Sequence, residues 1–467
     1  MSLHPLFIRG ARVVALYSLS SYCALALAAE TPLTLERAEQ LAIFQAPGLA
    51  QHRNHVQVAA ERTVSEGQLP DPQLIVGAIN VPTDTFDLSQ DDMTMTTIGV
   101  RQAFPPGATR ALRTQRAGHN LTRAQALLEL ERRSLVRNVR HTWLELYYLS
   151  AARRQIDSLR PLSERQRQAA EGRYRAAQDS QQAVLQARQA LARLTDREYA
   201  LRAQQRRAQA MLARWIGVPV EEPLRTPGEP MDGRGRALSG TGAGESMDGR
   251  GRALSGTGAG MAQVLETQEQ FPMPATLPEL PALPEHFDAE QHPEWRASHA
   301  DYDSAHTDID LARQEYKSGM TVDLSYGLRR PTPDGRERAN MLTALVTVDL
   351  PLFRAKRQDR RVAEKQAMEA GAQYDVEDKT RDLQAQYAML RADHEALTQR
   401  VQLYTQQIVP NARREASVSV AGNARDQTLL REAQIKAVET ELELTRLRVD
   451  LARNQVDLLY LTGGAQP

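Results

Sequence analysis

The 467-residue chain has a single cysteine, Cys23, so it cannot form a disulfide within itself. Aromatic residues make up only 5% of the sequence. That is little with which to fill one large globular core, and it agrees better with long helices. Net charge is absent too: Lys+Arg and Asp+Glu both number 58, which leaves no electrostatic case for nucleic acid or an acidic partner. After the first thirty residues there is no run of 18 apolar residues, so any passage through a membrane must be made by strands. Enzyme signatures are missing as well. There is no Gly-x-Ser-x-Gly, no phosphate-binding loop and no nucleophile-base pair, so neither an enzyme nor a cofactor is expected.

What is present begins with Arg9 and Arg12, an apolar run over residues 13–27, and Ala26-Leu27-Ala28. A charged start, an apolar middle and a small-residue end predict a signal peptide over 1–28, and so an exported protein. Cys23 falls inside this segment, and Tyr22 before it is not the small residue that lipidation requires.

The stretch from Tyr374 to Leu461 predicts a long helical hairpin. Its second arm carries Ile435, Leu442, Val449 and Val456 seven apart, interleaved with Val438, Thr445, Ala452 and Leu459. The first arm carries Leu383, Leu390, Leu397 and Tyr404 with Tyr387, His394, Val401 and Ile408. This is an a/d seam sustained over four heptads. Between the arms, Ala421-Gly422-Asn423 supplies residues that tolerate a left-handed turn.

The chain is also duplicated internally. Pro47 and Pro293, Pro105 and Pro351, Ala187 and Ala433, and Gly217 and Gly463 all stand 246 apart, in similar contexts. The predicted units are 29–220 and 287–467, joined by a low-complexity linker over 221–286. That linker repeats one 14-residue Gly-rich phrase and turns Pro-rich after Phe271, so it should be mobile and only connect the copies. Copy one should hold a helix from Thr34 to about Gly67, strands over 74–81 and 94–104, a helix over 110–174, and a second arm with Ala187, Leu194, Leu201, Ala208 and Trp215 seven apart. Copy two repeats this with strands over 321–329 and 341–350. There Val322, Leu324, Tyr326 and Leu328 alternate with Thr321, Asp323, Ser325 and Gly327. Ten-residue alternating strands suit an outer-membrane barrel, but four cannot close one, so several chains would have to share it.

Metal chemistry finds little support. His52 and His55 share a helix face and offer two ligands without an evident third. His292, His299 and His306 are two turns apart, too far for one ion. His394-Glu395 lacks the second histidine of a metalloprotease, since position 398 is Thr. Met93 and Met95 face soft metals only if their strand directs them to the barrel mouth.

Leu33-Thr34-Leu35-Glu36-Arg37-Ala38, Pro47-Gly48-Leu49, Phe104-Pro105, Asp349-Leu350-Pro351-Leu352-Phe353, Leu185-Gln186-Ala187 and Leu430-Arg431-Glu432-Ala433-Gln434 occur in an order that resembles the TolC-type outer-membrane efflux proteins. Residues 80–87, 92–94 and 104–107 look similar to the branch serving heavy-metal pumps. The resemblance implies a mainly α fold with a β-barrel portion. As a homotrimer it would form a shared 12-stranded barrel in outer-membrane lipid and an α-helical tunnel across the periplasm. It also implies docking of a periplasmic adaptor and an inner-membrane pump at the helix tips, near Ala177 and near Gly422 and Asn423. Ala177 stands where the family usually has glycine. Glu432, with Asp426 nearby, stands where the family often carries an acidic gate, and Gln186 is its counterpart in copy one. Threefold symmetry would turn each inward carboxylate into a ring. The expected function is a passive exit duct of a tripartite efflux system. The alternatives are an exit channel for type I protein secretion and a poreless periplasmic coiled-coil scaffold.

Overall fold

The computed structural model describes residues 33–217, 271–284, 286–421 and 427–463. Thr34 caps helix α1 (Leu35–Gln45), its hydroxyl accepting the Arg37 N–H at 3.3 Å. The single helix expected from Thr34 to about Gly67 is in fact two. Ala46, which precedes a proline, is pushed to an extended backbone (ψ 113), and α2 (Pro47–Ser65) restarts with Pro47 in its first turn. Strands β1 (Gln73–Ile79) and β2 (Met95–Phe104) follow, then α3 (Thr109–Arg175) and α4 (Gln181–Ile216). The 67 residues of α3 reach about 100 Å at 1.5 Å per residue.

The second half runs α5 (Pro293–Gln314), β3 (Met320–Leu328), β4 (Met341–Val348), α6 (Gln358–Leu403), a π-turn (Tyr404–Ile408), α7 (Val409–Ala421) and α8 (Gln427–Thr462). Adding 246 to the bounds of α4 gives those of α8. Pro47 and Pro293 both sit in the first turn of a helix. Gly217 and Gly463 both end one at φ 70, and Ala187 and Ala433 are both buried.

The four strands form one antiparallel sheet in the order β1-β2-β3-β4, with β2 against β3 joining the halves. Beneath the sheet the helices lie side by side as α2-α3-α5-α6. Further down the order is α4-α3-α8 with α6 and α7. The hairpin of α6, α7 and α8 follows the predicted seam: Leu383 is buried, and Tyr387, Leu390, His394, Leu397 and Val401 are half-buried. Past the π-turn the seam slips by one residue. Val409 and Ala412 are buried where an unbroken heptad would place 408 and 411, and residue 411 is exposed. The cause is Pro410, which has no N–H and whose ring crowds the preceding turn, so one extra residue loops into the helix.

The main core gathers at the base of the hairpins. Trp143 is buried there, stacked on Tyr147 at 5.8 Å, with its indole N–H donating to the Leu33 carbonyl at 2.9 Å. Arg140 and Glu39 form a buried two-pronged ion pair at 2.7 and 3.1 Å. The end of the supposedly mobile linker belongs to this core. Phe271 and Met273 are buried in it, and Leu277 and Leu280 pack on its margin. Leu33 N–H donates to the Pro272 carbonyl at 2.9 Å, Tyr147 Oη to that of Ala275 at 3.3 Å and Gln455 Nε2 to that of Pro281 at 2.8 Å. Proline does not prevent this, because an extended strap needs no internal hydrogen bonds and can anchor by alternate apolar side chains. The Gly-rich repeat and the predicted signal peptide lie outside the described residues.

His292 caps α5, its Nδ1 accepting the Glu294 N–H at 3.3 Å, and burial pushes the imidazole down to about 4. The unfolded chain therefore binds this proton first as pH falls, and stability should drop between about pH 6.5 and 4 by up to ~3 kcal/mol. His292→Asn keeps a capping acceptor and should flatten that segment of a denaturation-against-pH curve. Identical slopes would overturn the assignment. At the α3–α4 turn, Ala177 sits at φ 55, in the left-handed region that glycine adopts freely. Ala177→Gly should stabilise the turn by roughly 1 kcal/mol, read as slower amide exchange at residues 173–183.

Candidate functional site: an outward-facing apolar sheet above paired helical tips

Strand alternation places Leu74, Val100, Leu324 and Ala344 in one row across the sheet, with Val76, Ile98, Tyr326 and Leu342 in the next. This is the exposed face, where the large side chains of those two rows stand 43–71% open. The opposite face is mixed: Ile75 and Leu345 share it with Thr97, Ser325, Thr343 and the Arg101–Asp323 ion pair, whose residues stand directly opposite on β2 and β3. Thr97 and Asp323 are buried. The arrangement inverts that of a soluble half-buried sheet, which hides its apolar face. Gly99 permits the close approach of β2 and β3, because a Cβ there would lie 2.6 Å from that of Ser325.

At one end of the sheet the two hairpin loops grip each other. Arg338 from the β3–β4 loop, its side chain nearly buried, donates to the Ser89 and Asp91 carbonyls at 3.1 and 2.9 Å and pairs with Asp92 at 2.9 Å. The β1–β2 turn closes through Asn80, at φ 56, whose carbonyl accepts from Thr94 Oγ1 at 2.6 Å. Among the described residues the outer edges of β1 and β4 have no strand partner, which leaves two open ladders.

At the far end, α3 turns into α4 through Ala177. Gln178 N–H donates to the Arg173 carbonyl at 2.8 Å, Arg173 pairs with Asp179 at 3.1 Å, and Ser180 caps α4. Gln186 is exposed on α4, one residue before buried Ala187, and Glu432 is exposed on α8, one residue before buried Ala433. No hydrogen bond or ion pair joins Gln186 to Glu432 among the described residues. Gly422, Asn423 and Asp426 lie outside those residues. The two hairpins meet through Arg197 and Glu439 at 3.3 Å. The first hairpin also carries a polar seam that heptad reasoning missed. Glu198, buried, takes Arg160 at 2.7 Å and also Arg202, and Gln205, also buried, accepts from Arg153 at 3.4 Å.

The histidines fall to separate partners. His299 faces Asp303 at 3.2 Å, His306 faces Glu369 at 2.6 Å, and seam residue His394 meets Asn454 at 3.2 Å. Among the described residues of one chain, no three potential ligands gather into a metal site, and no helix is long and apolar enough to cross a membrane.

No protein-family model matches this sequence, and no curated protein does. Solved structures do match its shape. CusC, which forms a transmembrane channel, is 13% identical with a TM-score of 0.68, and 92% of each chain is covered. The outer-membrane protein VceC of Vibrio cholerae is 14% identical with a TM-score of 0.66, over 92% of this chain and 96% of that one. The open state of the MtrE outer-membrane channel of Neisseria gonorrhoeae is 13% identical with a TM-score of 0.66, over 92% of this chain and 89% of that one. The chain therefore has the fold of the TolC-type outer-membrane channels, mainly helical with a four-stranded antiparallel sheet.

Proposed function

We propose that this protein is the outer-membrane exit duct of a tripartite efflux system, a passive conduit that ends a path begun by an inner-membrane pump and a periplasmic adaptor. The observation that carries this reading is the inverted sheet. An apolar face so open suits lipid, and two unpaired edges in lipid demand further strands. All four strands alternate in direction, so β4 of one copy meets β1 of the next in antiparallel fashion, and the ring can close on whole chains. Three copies make the twelve-stranded barrel that the family resemblance implies, and α3 and the α6–α8 hairpin supply the long wall below it. The mixed, more polar face then lines the lumen, with Arg101 and Asp323 projecting toward water.

Within this reading the Ala177 turn and the Gly422-Asn423 turn are the adaptor-facing tips, and Glu432, Asp426 and Gln186 belong to the constriction. Residues 80–87, 92–94 and 104–107 favour heavy-metal cations as cargo. Exit of secreted protein is the same-class alternative. A poreless scaffold is disfavoured, because the exposed aliphatic rows would have no solvent that suits them.

Membrane fractions are the first test. The protein should resist extraction by high salt and carbonate and come off only in detergent, whereas release by salt would support the scaffold. Reconstituted in planar bilayers, the purified assembly should conduct, and an assembly that never conducts overturns the duct. Glu432→Ala combined with Asp426→Ala should raise closed-state conductance severalfold and weaken block by divalent cations. Unchanged conductance and block would remove both residues from the pore.

A further inference from the structure

The duplication makes one junction inside the chain a template for a junction between chains. Copy one meets copy two along α3 and α5, where Arg123 pairs with Asp301 at 2.8 Å and Arg116 with Asp308 at 3.1 Å. The free edges of the same helical row are α2 and α6, and the offset of 246 maps α3 onto α6 and α5 onto α2. Local geometry supports the mapping. Gln314 donates its Nε2 to the Asp310 carbonyl at 3.2 Å and offers Oε1 to the Ala108 N–H of the facing unit at 3.1 Å. Its counterpart Gln68 makes the same Nε2 bond, to the Val64 carbonyl at 3.2 Å. The donor equivalent to Ala108 N–H is the Arg354 N–H of another copy.

Under this mapping Arg123 becomes Glu369, and Asp301 becomes His55 of the next copy. The charge order of the internal junction is lost, and a carboxylate meets an imidazole. Both sides are already arranged. Glu369 is held by His306 Nδ1 at 2.6 Å, and the rings of His52 and His55 lie 5.7 Å apart at 68°. Two imidazoles on one tetrahedral zinc at ~2.0–2.1 Å place their ring centres roughly 5–6 Å apart. Three arginines share the groove with His52 and His55: Arg116 and Arg123 are each paired with an aspartate, and Arg62 lies one turn and more further along the helix beside Glu66.

We propose that each junction between copies builds a site for a divalent transition metal, such as Zn(II), from His52 and His55 of one copy and Glu369 of the next. His306 would orient the carboxylate from behind. This set of two histidines and one carboxylate is the kind that binds zinc with a position left for water. It rests on the self-assembly described above, since no single chain contains it.

The test is Zn(II) titration of the detergent-solubilised assembly by calorimetry, with metal content by mass spectrometry and oligomeric state by light scattering. One Zn(II) per chain is expected, weakened tenfold or more by His55→Ala and by Glu369→Gln and unaffected by His394→Asn. Co-expression of the two defective chains should restore tight sites at roughly a quarter of the junctions, because a His55→Ala copy still supplies Glu369 to a Glu369→Gln neighbour. An assembly of intact size that binds no Zn(II), or binds it equally in both variants, overturns the metal site while leaving the duct standing. Binding lost in the variants without rescue on co-expression overturns the shared geometry. A monomer in detergent-free buffer would remove the assembly and the site together.

Discussion

The structure depends on a sheet that cannot satisfy itself. Its aliphatic rows face outward, its mixed, more polar rows face the other way, and among the described residues the outer ladders of β1 and β4 lack strand partners. In water that combination would be penalised twice, by exposed hydrocarbon and by edges open to aggregation. In a lipid bilayer the first penalty becomes a gain, and the second becomes a requirement that other copies complete the ring. Glycines on the face shared with Ser325, Gly99 above all, let neighbouring strands approach one another closely.

The helices extend the same logic away from the sheet. Each half contributes a short helix, a long one and a return, so the wall is built from a repeated unit, as the sheet is. The base of the hairpins is the only place where a large core forms among the described residues. There the buried Arg140–Glu39 pair, the Trp143–Tyr147 stack and the proline-rich strap tie α1, α3 and α8 together. Toward the tips the core thins to small clusters such as Ala170, Val184 and Ala187, and ion pairs take over at the surface. Such pairs contribute little singly, and in this part of the chain small residues and heptad spacing set the fit.

Much of this was readable beforehand, for identifiable reasons. The four pairs at constant offset marked helix starts, strand ends, buried alanines and left-handed caps, all positions where backbone conformation or close approach restricts residue choice. Strand alternation in residues 321–350 was legible because a period of two survives whatever surrounds the strand. The failures were equally specific. The break at Ala46 needed Pro47 to be weighed as a helix start, although a continuous apolar pattern ran across it. The slipped seam after Tyr404 needed Pro410 to be read as forcing an extra residue into the turn. Only the end of the linker departs from what composition suggests, because two apolar side chains, Phe271 and Met273, outweigh the proline between them once a core is there to receive them.

Taken alone, the sequence determined the periodicities: heptads along the arms, alternation along the strands, and a unit copied at an offset of 246. Those are local properties, set by the geometry of helix and strand and by where glycine and proline can stand. Which face of the sheet turned outward, which edges stayed open and which side chains met across 200 residues were decided only in three dimensions. Nothing in the sequence pairs Arg101 with Asp323, Arg140 with Glu39, or Glu369 with His306. Their pairing depends on register and on which helices come to lie side by side, and no short-range pattern encodes either.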